Sequence, residues 1–166
     1  MSYDKFIYGQ GLGDAAKTKM GVGIGKDNGC GWVATYNALS LMNNAHHPSN
    51  IIAWLEQYGG SNFLGVAGAN PDAINLYLGV CGYSTSLFYT PSNIDATISA
   101  SKRGIGILAY FFPDLNAHYV MIEHKDGQYH IYNYRNSATD KRIVDSVDAW
   151  LRDNEDGASI SLITIN

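Results

Sequence analysis

Cysteine is scarce in this sequence, basic residues are outnumbered, and long hydrophobic runs are missing. Cys30 and Cys81 are the only cysteines in 166 residues. A disulfide-stapled secreted scaffold is therefore excluded, and such sparse use reads as reduced thiols in a cytosolic setting. Eleven Lys and Arg stand against fifteen Asp and Glu, for a net charge of −4. That balance cannot build the basic face that nucleic acid or an anionic membrane surface requires. No apolar stretch approaches the ~18 residues of a membrane span. The opening Met-Ser-Tyr-Asp-Lys lacks the apolar core of a signal peptide. The expectation is a cytoplasmic chain, or one exported without a cleavable signal. At 46% hydrophobic and 16% charged, the composition also excludes disorder. What is left is one globular domain over residues 1–166, long enough to bury its own core.

The order of elements can be read from pattern. Residues 3–10 suggest a short strand, and Gly11 to Gly29, glycine-rich and without period, a long surface loop. Residues 31–42 are apolar nearly all round, the pattern of a helix buried in a core. Two amphipathic helices follow. One is capped by Ser49 and closed by Gly59-Gly60; the other opens on Asn70-Pro71-Asp72 and stops near Gly82. Strands are then predicted over 84–90, 105–112, 118–125, 128–135 and 158–165, with short helices over 91–101 and 146–153. Asp126-Gly127 between alternating residues is the strongest hairpin signal in the chain. Helices first and a mostly antiparallel sheet after define an α+β domain.

Cys30 stands immediately before the buried helix, where the positive end of the helix dipole favours a thiolate. A base must take its proton, and His118, at the start of a hairpin strand, is the candidate. A two-residue turn at Asp126-Gly127 places Lys125 opposite Gln128, so opposed residue numbers sum to 253. His118 then opposes Arg135 and Val120 opposes Asn133. His118 and Asn133 become diagonal neighbours on one face, Cβ atoms ~7 Å apart, within reach of an amide–imidazole hydrogen bond. Asn136 and His130 fall on the other face, His130 opposite Glu123. Nucleophile, base and orienting amide in this order are the equipment of a thiol hydrolase.

At this point the residues resemble a known family. Asn28-Gly29-Cys30-Gly31-Trp32 before an apolar helix is similar to the nucleophile helix of papain-like cysteine peptidases. The nearest likeness is to the bacterial branch that processes bacteriocins at double-glycine leaders. His118-Tyr119-Val120-Met121-Ile122, a hairpin and Tyr132-Asn133 resemble that branch's His strand and its following Asp/Asn strand. The branch usually carries Asp where this chain has Asn133. Gln10 looks like the family's oxyanion-hole glutamine, although twenty residues separate it from Cys30.

The resemblance implies a papain-like fold and a peptidase acting on peptide or protein substrates. Cys30 would be the nucleophile, His118 the acid–base, Asn133 the orienter and Gln10 the oxyanion donor, with Asn28 a rival for the last role. A thiolate–imidazolium pair is the expected resting state. Deamidation, acyl transfer and a catalytically inactive binding module share the same scaffold and stay open.

Other motifs carry less. Gly21-Val-Gly23-Ile-Gly25-Lys26 fails as a phosphate loop because Asp27 follows the lysine. His46-His47 lacks companions at metal-ligand spacing and is expected in solvent, so no metal or other cofactor is implied. Cys81 is expected to end a helix without a partner group.

Overall fold

A computed structural model describes residues 3–58, 69–113 and 116–166. Its centre is a six-stranded antiparallel sheet sandwiched between helices. The strands are β3 (Thr85–Tyr89), β4 (Ile105–Phe111), β5 (Ala117–Lys125), β6 (Gln128–Tyr132), β7 (Arg142–Val144) and β8 (Ala158–Ile165), in the spatial order β3-β8-β4-β5-β6-β7. Central β4 is apolar without alternation because both faces are covered: Ile105 through Tyr110 are all buried.

One face packs on α3 (Cys30–Leu41), α4 (Pro48–Gln57) and α5 (Pro71–Val80). It meets them with Ile107, Ala109, Tyr119, Met121 and Ile163. The other face packs on α6 (Ile94–Ala100) and α7 (Val147–Asp153), through Leu108, Tyr110, Val120, Ile122 and Leu162. Each buried Leu or Ile contributes about 1.5–3 kcal/mol. All residues of α3 from Cys30 to Ser40 are buried, which accounts for the missing polar stripe in its sequence.

The hairpin forms in the predicted register. Lys125 pairs with Gln128 and Glu123 with His130, and the His130 ring lies 3.7 Å from the Glu123 carboxylate. Asp126 and Gly127 both have positive φ, the signature of a type I′ turn. The ladder stops sooner than predicted. β6 ends at Tyr132 and Asn133 turns left-handed (φ 62), so the predicted pairing of His118 with Arg135 does not form.

Three further expectations are corrected. Residues 3–10 form no strand; they run irregularly across α3, with the Asn37 carboxamide clamping both the N–H and the C=O of Ile7. Gly11 to Gly29 is not a featureless loop. It holds α1 (Gly13–Lys17), the two-residue strands β1 (Lys19–Met20) and β2 (Gly23–Ile24), and α2 (Gly25–Asn28). These pieces are too short to show a period, and the glycines permit close approach: a Cβ on Gly25 would sit 1.9 Å from the Ala15 carbonyl oxygen. α4 is capped by His47, whose Nδ1 accepts from Ser49 N, with Pro48 in the first turn, so the predicted cap at Ser49 is two residues late. The predicted stop at Gly59-Gly60 lies outside the described residues.

Candidate active site

The site is assembled where β6 peels away from β5. Until Tyr132 the two strands satisfy each other's main-chain groups; beyond it, the Tyr119 carbonyl accepts from the Asn133 Nδ2 at 3.5 Å and its amide faces Cys30. Three segments build the site there: the start of α3, the chain around Gln10, and Asn133 itself.

Cys30 is the first residue of α3. Gly29 serves as its N-cap and offers no side-chain cap, so the first amides of the helix are not taken up by a capping side chain. Glycine is required at 29, since a Cβ there would meet the Gly25 oxygen at 2.5 Å and the Trp32 indole nitrogen at 2.8 Å. The Cys30 thiol is fully enclosed, and burial pushes its pKa up. The amides of Tyr119, Gly31 and Cys30 pull the other way by favouring the thiolate, but burial dominates.

His118 precedes Tyr119 on β5 and is also buried. Its ring leaves the strand on the α7 face, edge-on to Tyr110 at 6.0 Å and beside Phe112 at 6.1 Å. His118 Nε2 lies 2.5 Å from the main-chain oxygen of Asn133. A carbonyl only accepts, so Nε2 carries the proton and Nδ1 is the nitrogen left basic. Burial pushes the imidazole pKa down; the bond to Asn133 opposes this and nearby Arg135 adds to it.

Burial thus weighs against both members of the expected thiolate–imidazolium pair, pushing the thiol up and the imidazole down. The sulfur lies against the Tyr119 amide, and the ring belongs to the residue before it on β5, directed to the α7 face. Among the described residues no hydrogen bond joins them.

The Asn133 side chain does not take the part predicted for it. Its Oδ1 accepts from Gln10 N (2.9 Å) and its Nδ2 donates to Gln10 Oε1 (3.0 Å). The left-handed backbone at Asn133 explains the exchange: it points the carbonyl at His118 and turns the carboxamide toward Gln10. Gln10 is buried, and with Oε1 committed its Nε2 is fixed as a donor, aimed at the Lys26 carbonyl at 3.4 Å.

Asn28 is buried too, and its Nδ2 turns back to the Met20 carbonyl (3.3 Å), as expected of a residue serving its local backbone. So Gln10, Asn133 and His118 are directly connected, and Cys30 joins them through the Tyr119 amide.

Several neighbours had no signal in the sequence. Asn136 donates to the same Lys26 carbonyl (3.0 Å) and accepts from Gly11 N through its main chain (2.9 Å), tying the Gln10 segment to the chain after Asn133. Arg135 pairs with Glu155 at 2.8 Å behind the histidine. The Tyr110 phenol is buried and pushed far up, by burial first and then by Glu155, with a smaller contribution from Cys30.

Cys81 and His46 also depart from expectation. His46 Nδ1 is 2.7 Å from the Tyr77 hydroxyl and 3.9 Å from the Cys81 sulfur, so neither residue stands alone. Among the described residues no three His, Cys, Asp or Glu side chains gather as metal ligands, and no helix is long and apolar enough to cross a membrane.

No family model matches the chain, and no curated protein matches it. Among solved structures it is similar to the peptidase domain of Streptococcus ComA, a bi-functional ABC transporter involved in a quorum-sensing pathway. The TM-score is 0.58 at 11% identity, over 84% of this chain and 90% of that one. The fold is thus the α+β, papain-like fold of that bacterial peptidase domain, as the residues around Cys30 and His118 implied.

Proposed function

We propose that this chain is a papain-like cysteine peptidase that cleaves peptide or protein substrates through a thioester on Cys30. The observation that carries the proposal is the arrangement at β5: the Cys30 sulfur rests against the Tyr119 amide, one residue from an imidazole whose free nitrogen is Nδ1.

Because burial disfavours both ions, the route starts from a neutral thiol and a neutral imidazole. As the sulfur attacks the substrate carbonyl, His118 Nδ1 takes the thiol proton; the same proton then goes to the leaving amine as the C–N bond breaks. In this route His118 Nδ1 and the sulfur meet only once substrate is bound, as catalytic hydrogen bonds often form or tighten only in the substrate complex. The Asn133 carbonyl holds the ring and disperses the positive charge it gains. The Cys30 amide and Gln10 Nε2 supply hydrogen bonds to the oxyanion, Nε2 exchanging the long bond to Lys26 for a better one. Water, activated by the imidazole, then hydrolyses the thioester.

The experiment is terminus profiling of a proteome-derived peptide library treated with the wild-type chain and with Cys30→Ser. New termini in the wild-type sample alone are the expected result. Termini produced equally by both would overturn the reading. Conversion of glutamine to glutamate without new termini would move it to deamidation.

A further inference from the structure

A cavity of about 270 Å³ opens on the segment that flanks Gln10, lined by residues between Tyr3 and Gly9 and between Leu12 and Ala15 and by Ala138 and Thr139. It belongs to the same construction as Gln10. Gly9 in its wall packs so tightly on the following segment that a Cβ would meet the Asn136 and Ala138 oxygens at 2.6 Å. The next residue is Gln10, latched to Asn133. Anything seated in the cavity therefore lies one residue from the proposed oxyanion donor.

The size fits a single side chain, since pockets that enclose whole small ligands run from ~300 to 1,000 Å³. Its walls combine aromatic rings with acids. Tyr3, Phe6 and Tyr8 contribute the rings, and Phe6 and Tyr8 are braced from behind by Tyr132 at 5.0 and 5.9 Å. Asp4 and Asp14 contribute carboxylates, and among the described residues neither takes part in an ion pair. No Lys or Arg is among the described lining residues, and Lys5, next to Asp4 in sequence, lies over the Phe6 ring at 5.5 Å. Rings and unpaired acids around one cavity select a cation with an apolar stem.

We infer that this cavity is a substrate subsite for an arginine or lysine side chain flanking the scissile bond. The inference rests on the peptidase reading for its role, but its binding chemistry can be tested apart from turnover. The probes are N-acetyl-arginine methylamide and its neutral isostere N-acetyl-citrulline methylamide, titrated into isotope-labelled Cys30→Ala chain and followed by NMR.

The expected result is a set of shifts centred on residues 3–15 and 138–139, with the arginine compound bound about tenfold more tightly, the effect of one well-placed charge. Asp4→Asn and Asp14→Asn should each weaken the arginine compound several-fold at an unchanged melting temperature. Asp4 is itself exposed and outside any helix or strand, so its variant retains the fold even if Asp14→Asn loosens α1. Equal affinity for the two compounds, or an arginine affinity unmoved by both variants, would overturn the inference. Arginine binding in a chain without turnover contradicts the peptidase reading and leaves the subsite standing. Turnover indifferent to basic residues contradicts the subsite alone.

Discussion

His118 donates its Nε2 proton to the main-chain oxygen of Asn133 at 2.5 Å, while the Asn133 carboxamide faces away and grips Gln10 with two hydrogen bonds. One residue thus fixes both the base and the oxyanion donor, the first through its backbone and the second through its side chain. The division of labour depends on a left-handed φ of 62° that Asn adopts more readily than most residues.

Asn133→Gly and Asn133→Ala separate the two functions. Both delete the carboxamide and leave Gln10 N–H and Oε1 buried without partners, at a cost of about 1–3 kcal/mol. Glycine retains the left-handed backbone and the carbonyl on His118; alanine strains it. Denaturant unfolding should show Ala less stable than Gly, and Gly should retain more turnover. Equal behaviour would mean that the backbone carbonyl does not position the ring. Asn133→Asp should keep the main-chain bond to His118 but turn Gln10 Nε2 to the carboxylate and away from the oxyanion, so its turnover should fall toward that of Gln10→Ala.

Gln10→Ala should slow turnover ~10²–10³-fold, the usual cost of one oxyanion donor. Asn28→Ala should cost far less, because Asn28 Nδ2 serves the Met20 carbonyl. Steady-state kinetics of the pair decides the assignment, and a large loss confined to Asn28→Ala reverses it.

The resting protonation state is testable by alkylation. With the Cys30 pKa pushed up by burial, iodoacetamide should label Cys30 slowly at neutral pH and faster only above the ordinary thiol range. Peptide mapping across pH 5–10 measures this. A rate plateau near neutrality would signal an ion pair and contradict the neutral site.

His118 also leaves a mark on stability. Its folded pKa lies below the ordinary imidazole value, so between the two values the unfolded chain binds more protons. Stability is therefore complete above about pH 6.5 and falls as acid is added through that window. His130 is also lowered by burial and acts in the same sense, while Glu155, raised by burial, acts oppositely. The difference between wild type and His118→Gln cancels both. Denaturant titrations at pH 5, 6, 7 and 8 should show a flatter acid limb for the variant; an unchanged limb would place the ring in solvent.

Much of this architecture is legible in the sequence because the signals are local. Asp126-Gly127 imposes the type I′ turn and hence the register, and the unbroken apolar run of α3 announces burial on all sides. The last strand was readable from its alternation. What escaped depends on tertiary partners. The end of β6 is set by one left-handed residue that no period reveals, and β7 is too short to register. The path of residues 3–10 is held by Asn37 from thirty residues away. His118, Asn133 and Gln10 are joined by hydrogen bonds and Cys30 lies against the Tyr119 amide, yet which atom of Asn133 meets the ring is not readable from strand parity.

The account stands most directly on one measurement: mapping the adduct formed with a panel of peptidyl fluoromethyl ketones, which react with a thiol only after carbonyl attack. The predicted result is one adduct per chain on Cys30, unaffected by Cys81→Ser and lost in His118→Ala. Modification of Cys81 in place of Cys30, or Cys30 labelling undiminished without His118, would contradict it.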